Sequence, residues 1–461
     1  MTNVVPLSYE ISTVEYFARI RPLGQAMLLD SVKPASKRGR FDILVAAPHA
    51  TISFEQGSLK TTGLTCELPA NSDPFAGLQQ VFDFAAAQIA PQPITDLPFC
   101  GGLVGYMSYD LGRAIETLPS AAIKDDALPD MHFGLYSWAI IVDHLKQKTS
   151  FVATDLLAGQ EQEKLLGLIA KASVQASQKP FQLLAPFKPD SSQDEYQHAL
   201  QKIDEYIHAG DCYQVNFAQR FTAHYSGDPW LAYIELRNSA PTPYAAYLET
   251  DSGAILSLSP ERFLATTSTG EVLTQPIKGT RPRGKTSQED SQLVQQLLNS
   301  EKDRAENVMI VDLLRNDLSK ACELNSVNVP ELFAIESYKN VHHLVSSVTG
   351  KLKQIETPIS LLRHCFPGGS ITGAPKIRAM EIIDELEHFR RSIYCGSIGY
   401  ISLCGNMDTS ITIRTLLLEN QRATCWAGGG IVADSKIDEE FQETFDKVNN
   451  LLQTLPVRSI D

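Results

Sequence analysis

Short apolar runs separated by turn residues dominate the first third of the chain. Phe41-Asp-Ile-Leu-Val-Ala46 and Trp138-Ala-Ile-Ile-Val142 read as strands, and the stretch 75–89 has helical spacing. Beyond residue 195 the pattern is mixed, with a helix over 196–209 and strands over 213–221, 245–248 and 254–258. Helices and strands do not alternate strictly, so the pattern predicts an α+β fold with strands packed as a sandwich rather than a doubly wound sheet. Ser300-x-x-Asp303 is a capping-box-like start for a helix running through Val308 to Leu314 and stopping near Asn316-Asp317; Asp303 and Glu306 then share one face at i,i+3. In the last helix Phe441, Phe445, Val448 and Leu452 form an apolar stripe, while Glu440, Glu443 and Lys447 form a separate one.

At 461 residues the chain exceeds the usual size of a single core. Composition shifts between Gln178 and Glu195 toward Pro, Ser, Lys and Gln, which reads as a connecting segment. The expected organisation is an N-terminal region 1–177, a connection 178–195 and a catalytic region 196–461. The 40 basic and 54 acidic side chains give a formal charge of −14, which opposes attraction to nucleic acid or an anionic membrane. From Met1 to Ala18 no basic segment leads into an apolar stretch, and no apolar run approaches bilayer length, so a cytoplasmic protein is expected. The eight cysteines (66, 100, 212, 322, 365, 395, 404 and 425) include no CxxC pair, which argues against a zinc site or a disulfide framework. None lies in a Gly-x-Cys-x-Gly turn of the kind that exposes a glutaminase nucleophile, although Cys100 and Cys395 each have one flanking glycine. Ammonia drawn from glutamine would therefore have to come from another chain.

Several segments are candidates for chemistry. Paired acids on two helices suit a hard divalent cation, which takes one or two carboxylates and leaves positions for an anionic ligand; the alternative is solvated surface charge. Lys278, in Gln275-Pro-Ile-Lys-Gly-Thr-Arg-Pro-Arg-Gly284, is either a nucleophile with a depressed pKa or an ordinary turn lysine. Glu261, in Ser259-Pro-Glu-Arg-Phe263, is either a general acid or an ion-pair partner of Arg262 or Arg281. Glycines in Phe366-Pro-Gly-Gly-Ser-Ile-Thr-Gly-Ala-Pro-Lys376 would let backbone amides approach an anion, without Walker spacing. Trp426-Ala-Gly-Gly-Gly-Ile431 reads as a second glycine turn. Arg414, within an apolar strand over 410–417, needs a partner, with a carboxylate the expected one and a structural salt bridge the competing explanation.

Taken in order, Ser259–Phe263, Pro276–Arg281, Lys302-Asp-Arg-Ala-Glu-Asn307, Ile310–Asp317, His343-Leu-Val-Ser346, Phe366–Lys376 and Glu440-Phe-Gln-Glu-Thr444 closely resemble the chorismate-utilising enzymes. That group contains anthranilate, salicylate, isochorismate and aminodeoxychorismate synthases. The resemblance implies an anthranilate-synthase-like fold with two β-sheets as a sandwich core, helices around it and a substrate cleft. It implies Mg2+ held by Glu306 and Glu443, with Asp303 and Glu440 beside them. Tyr394, Arg414, Gly428, Gly429, Gly430 and Lys447 match positions that grip the carboxylates of chorismate, and Thr372 and His343 match positions that line the ring pocket.

Lys278 is the sharpest discriminator within the group. Anthranilate and salicylate synthases typically carry alanine there, whereas many aminating members that keep the enolpyruvyl ether carry lysine. Gln214 stands where water-adding relatives have a lysine base, and Asn307 departs from the histidine common in anthranilate synthases. The resemblance therefore implies Lys278 as covalent nucleophile and Glu261 as general acid, with ammonia from a glutamine amidotransferase partner in a heterodimer feeding para-aminobenzoate and folate synthesis. An anthranilate synthase is the rival reading. Ser31, Phe41, Pro243 and Tyr244 match the lining of a second pocket that holds tryptophan in some relatives, while Arg38 stands where an aromatic can occur.

Overall fold

Alternate residues of the apolar strands enter different cores. Ile43 and Val45 join Ala139 and Ile141 in one cluster, and Leu44 and Ala46 join Ile140 and Val142 in another, following the two-residue period of extended chain. The computed structural model describes residues 3–457 apart from 33–37, 65–67, 69–72, 90–95 and 172–178; Met1, Cys66 and Gln178 lie outside the described residues. Over those residues the strands form one 13-stranded and one 11-stranded antiparallel sheet. The first core gathers side chains of both sheets with helices Pro74–Ala86, Pro358–Cys365 and Lys376–Leu386. The second covers the other face of the larger sheet with Thr13–Ile20, Gly159–Ala170, Pro229–Ser239 and Ile437–Thr454. The architecture is the α+β pair of sheets flanked by helices.

The segments on either side of 178–195 share both sheets. Strand Met27–Asp30 pairs with Tyr244–Thr250 in the larger sheet, and Gly102–Met107 pairs with Ser397–Ser402 in the smaller. Lys188–Pro189 pairs with Phe221 and Thr222, and the connection ends in a capping box, where Ser192 and Glu195 open the helix Gln193–Ala209. Among the described residues no helix is long and apolar enough to cross a membrane.

Three local expectations need correction. Helix Glu301–Ala321 runs past Asn316-Asp317 because Asp317 is neutralised by Lys376 at 2.6 Å and Lys320 at 2.9 Å, and Leu318 and Ala321 are buried. The apolar stretch 410–417 is two strands, Met407–Ile411 and Thr415–Glu419, and between them the chain changes sheet with Arg414 at φ 53°. Gly428, Gly429 and Gly430 form no turn; they lie inside strand Arg422–Ile431, paired with Gln214–Ser226. At Gly428 a Cβ would stand 2.1 Å from the Phe217 carbonyl oxygen, so close strand approach requires glycine there.

Candidate active site

Two neighbouring crossings between the sheets place the first functional groups. Strand Gly253–Ser259 of the larger sheet hands over to Arg262–Thr266 of the smaller through Glu261, and Met407–Ile411 returns to Thr415–Glu419 through Arg414. The crossings are tied together: the amide of Leu258 donates to the Arg414 carbonyl at 3.1 Å, and that of Ile411 to the Glu261 carbonyl at 3.0 Å. Glu261 is only 5% exposed. Neither arginine offered by the sequence pairs with it, since Arg262 binds Asp408 and Arg281 binds Asp303. Instead Ser370 Oγ donates to Glu261 Oε1 at 2.8 Å. Burial pushes the Glu261 carboxyl up to about 7, against the opposing pull of Ser370 and Lys278, so near neutrality it retains a proton to give.

Lys278 lies on Ile277–Pro282, whose pairing with Val341–Lys351 is irregular between Ile277 and Thr280, a bulge of the kind that re-aims side chains beside a site. Gly279 follows at φ +82°, and a Cβ there would stand 2.9 Å from Asp303 Cγ, so strand and helix can close only over glycine. Lys278 is half-buried. Burial lowers its pKa despite the opposing fields of Glu306 and Glu261, which favours the free amine a nucleophile needs.

The acids form two pairs. On Glu301–Ala321, burial raises the Glu306 carboxyl against Lys278 and Lys302, and Asp303 is held by Arg281 at 3.0 Å. On Ile437–Thr454, Glu440 accepts from Ser435 at 2.7 Å and lies 3.5 Å from Lys302 Nζ. Burial opposes ionisation of Glu443, but Lys447 at 2.5 Å outweighs it and brings the carboxyl below its ordinary range. Lys447 also donates to the Gly428 carbonyl at 2.9 Å. Gly429 gives these acids room: a Cβ there would meet Glu440 Oε2 at 3.1 Å and Glu443 Oε1 at 3.3 Å. Among the described residues no three His, Cys, Asp or Glu side chains converge as a ready-made metal cage.

Around these groups stand further polar side chains, some of them with atoms that lack a partner among the described residues. Arg414, half-buried, makes no ion pair among the described residues, which removes a structural salt bridge as its explanation, and burial alone depresses its pKa; a cation in this state calls for an anion. Both amide atoms of Gln214, 0% exposed beside Gly430, lack partners, as does Asn307 Nδ2, whose Oδ1 accepts from Ser346 at 2.6 Å. His343 Nδ1 shares a 2.8 Å hydrogen bond with Thr280 Oγ1, and burial pushes its pKa to about 3, so it is neutral. Thr372 donates to the Gly368 carbonyl at 3.1 Å, and Tyr394 stacks on Trp426 with ring centroids 6.2 Å apart. Ser370 and Lys302 were missed in the sequence. The i,i+4 spacing of Lys302 and Glu306 was a usable signal, whereas nothing distinguished Ser370.

A separate cavity of about 320 Å³ lies beyond Arg262, with Phe41, Pro243, Tyr244 and Arg38 in its wall. Ser31 is not in that wall, because its hydroxyl and amide both donate to buried Asp42, at 2.7 and 2.8 Å.

A buried acid, a half-buried lysine, an arginine with no ion pair among the described residues and two acid pairs in a two-sheet fold define an enzyme that handles a small anion. The chain belongs to the chorismate binding enzymes, the family that matches residues 24–453. It is 48% identical over 440 residues, 95% of each chain, to aminodeoxychorismate synthase component 1 of Escherichia coli (strain K12), and 49% identical over 442 residues to that of Klebsiella aerogenes, covering 95% of this chain and 96% of the relative. Among solved structures, anthranilate synthase component I from Streptococcus pneumoniae TIGR4 superposes with a TM-score of 0.78 at 34% identity, covering 90% of this chain and 93% of the other.

Proposed function

We propose that this chain aminates chorismate to 4-amino-4-deoxychorismate through a covalent bond to Lys278, as component 1 of an aminodeoxychorismate synthase in para-aminobenzoate and folate synthesis. The observation that carries the chemistry is a half-buried lysine amine, its pKa lowered by burial, within the field of a buried carboxyl near pKa 7. Near-complete alignment with synthases of that name supports the assignment. The Lys278 amine adds to the ring carbon ortho to the carboxylate-bearing carbon; the double bonds shift, and the C4 hydroxyl departs with a proton from Glu261 as water. Ammonia then forms the new bond at C4 as the shift reverses, the lysine nitrogen leaves, and the excess proton passes to Glu261. Arg414, Tyr394, the strand amides of Gly428 to Gly430 and Lys447 would hold the carboxylates, with Thr372, His343 and Gln214 around the ring.

The reading includes Mg2+ at Glu306 and Glu443, with Asp303 and Glu440 behind them. Two carboxylates plus a substrate carboxylate suit a magnesium ion, and the space over Gly429 lets Glu440 and Glu443 approach the strand. When bound, the ion would supply positive charge to the ring carboxylate as electrons shift. Ammonia would come from a glutamine amidotransferase partner: Cys100 and Cys395 are buried, and burial raises the Cys395 thiol to about 12, unlike a reactive nucleophile. The free thiols fit a reducing cytoplasm. The second cavity, with Tyr244 and Phe41, is the place for an aromatic amino acid such as tryptophan.

Mass spectrometry of the product formed from chorismate, Mg2+ and an ammonium salt tests this reading. An aminated product retaining its enolpyruvyl group supports it; pyruvate-free anthranilate would refute it. Full ammonia-dependent turnover by Lys278→Ala would refute the covalent step.

A further inference from the structure

Of the seven described cysteines, six are buried and Cys404 alone is partly exposed. It occupies the turn between strands Ser397–Ser402 and Met407–Ile411, away from the acid pairs. Its sulfur is surrounded by hydrogen-bonding groups: Asn406 Nδ2 donates to it at 3.3 Å, and Ser402 Oγ lies 3.0 Å away. The Cys100 thiol is hydrogen-bonded to it as well, and that contact, helped by Ser402, outweighs burial and draws the Cys404 thiol below its ordinary range. By contrast, burial raises the thiols of Cys212, Cys322, Cys365, Cys395 and Cys425.

The backbone keeps the two sulfurs together. The Cys100 amide donates to Ser402 Oγ at 3.0 Å, the Leu403 amide to the Gly101 carbonyl at 2.9 Å, and Asn406 Nδ2 to the Pro98 carbonyl at 3.3 Å. Segment 98–101 is thus laced to the hairpin turn on both sides of the thiol pair. We propose that Cys404 is a peroxide-reactive thiol and Cys100 its resolving partner, so that the two close a reversible disulfide. Pro98, Gly399, Tyr400 and Asp408, which flank the pair in sequence, line the 320 Å³ cavity, so the bond would tie together two parts of that wall.

The Cys404 thiolate attacks one oxygen of hydrogen peroxide; the O–O bond breaks, hydroxide leaves, and the sulfur becomes a sulfenic acid, oxidised by two electrons. Cys100 then gives up its proton and attacks that sulfur. The S–S bond forms, the S–O bond breaks, and the second oxygen leaves as water. A dithiol reductant reverses the bond by exchange.

The test is peptide mapping without reductant after the full-length protein meets equimolar hydrogen peroxide. The expected product is a linked Cys100–Cys404 peptide that dithiothreitol abolishes, with Cys404 alkylated at pH 7 on the order of tenfold faster than Cys365 or Cys425 beforehand. In Cys100→Ser, Cys404 should halt at a sulfenic acid trapped by dimedone. Equal alkylation of Cys404 and the buried thiols, or oxidation of Cys404 in the native chain to sulfinic acid without the linked peptide, would overturn the proposal.

Discussion

Glu261→Gln should stabilise the fold while abolishing turnover, and the stabilisation should appear only on the alkaline side. Burial raises the carboxyl from 4.5 to about 7. A raised pKa means that the folded state resists the loss of the proton more than the unfolded chain does. The group's relative contribution is therefore most favourable below pH 4.5 and is lost as pH rises through about 7. At about 1.4 kcal/mol for each pH unit between the two values, the native protein carries a penalty of about 3 kcal/mol above pH 8. Glutamine keeps an acceptor for Ser370 Oγ, now 2.8 Å from Glu261 Oε1, and carries no charge to bury.

The assay is urea unfolding of both proteins at pH 5 and pH 8.5. Near pH 5 the gap between them should be small, and at pH 8.5 the variant should be the more stable by about 3 kcal/mol. A gap of equal size at both values would refute the claim that burial holds this carboxyl protonated. Chorismate amination by the variant should fall by on the order of 10² or more through loss of the acid, a case of a site maintained at the expense of stability.

Substituting Arg414 by Met should leave stability unchanged or raised, since burial disfavours the charge and the guanidinium makes no ion pair among the described residues, but should raise the KM for chorismate on the order of tenfold. Arg391→Met, which strands buried Glu387, should instead cost about 3 kcal/mol or more in denaturant unfolding. Gly429→Ala puts a methyl group 3.1 Å from Glu440 Oε2 and should weaken Mg2+ binding several-fold by calorimetry while the circular dichroism spectrum holds. In the native enzyme kcat/KM should fall as pH rises through about 7, when Glu261 loses its proton; Ser370→Ala, which removes a hydrogen bond that favours the carboxylate, should move that limb to higher pH. His343, neutral down to about pH 3, should contribute no inflection near 6.5.

What could be read in the sequence is what depends on local spacing. The helix cap at Ser300, the shared faces of Asp303 with Glu306 and of Glu440 with Glu443, and the apolar stripe of the last helix all follow from the 3.6-residue period. What could not be read depends on partners distant in sequence. The run 410–417 has the composition of one strand, and only the pairing of its halves with different sheets shows that Arg414 sits at a crossing rather than within a ladder. The three glycines after Ala427 look like a turn because glycine usually marks one. Here each position makes room for something remote: the Phe217 carbonyl at Gly428, the acids at Gly429 and the Gln214 side chain at Gly430. Glu261 shows the same limit, because its neighbour Arg262 was the obvious counter-ion, yet Asp408, 146 positions away, holds that arginine. Engaging Arg262 and Arg281 elsewhere leaves the acid nothing stronger than a serine hydroxyl, a backbone amide and the field of Lys278 to favour its charge. Burial raises the pKa, and neither Arg262 nor Arg281 is left free to offset it, so substitutions at Asp408 or Asp303 that release either arginine should reach the proton on Glu261 without touching it.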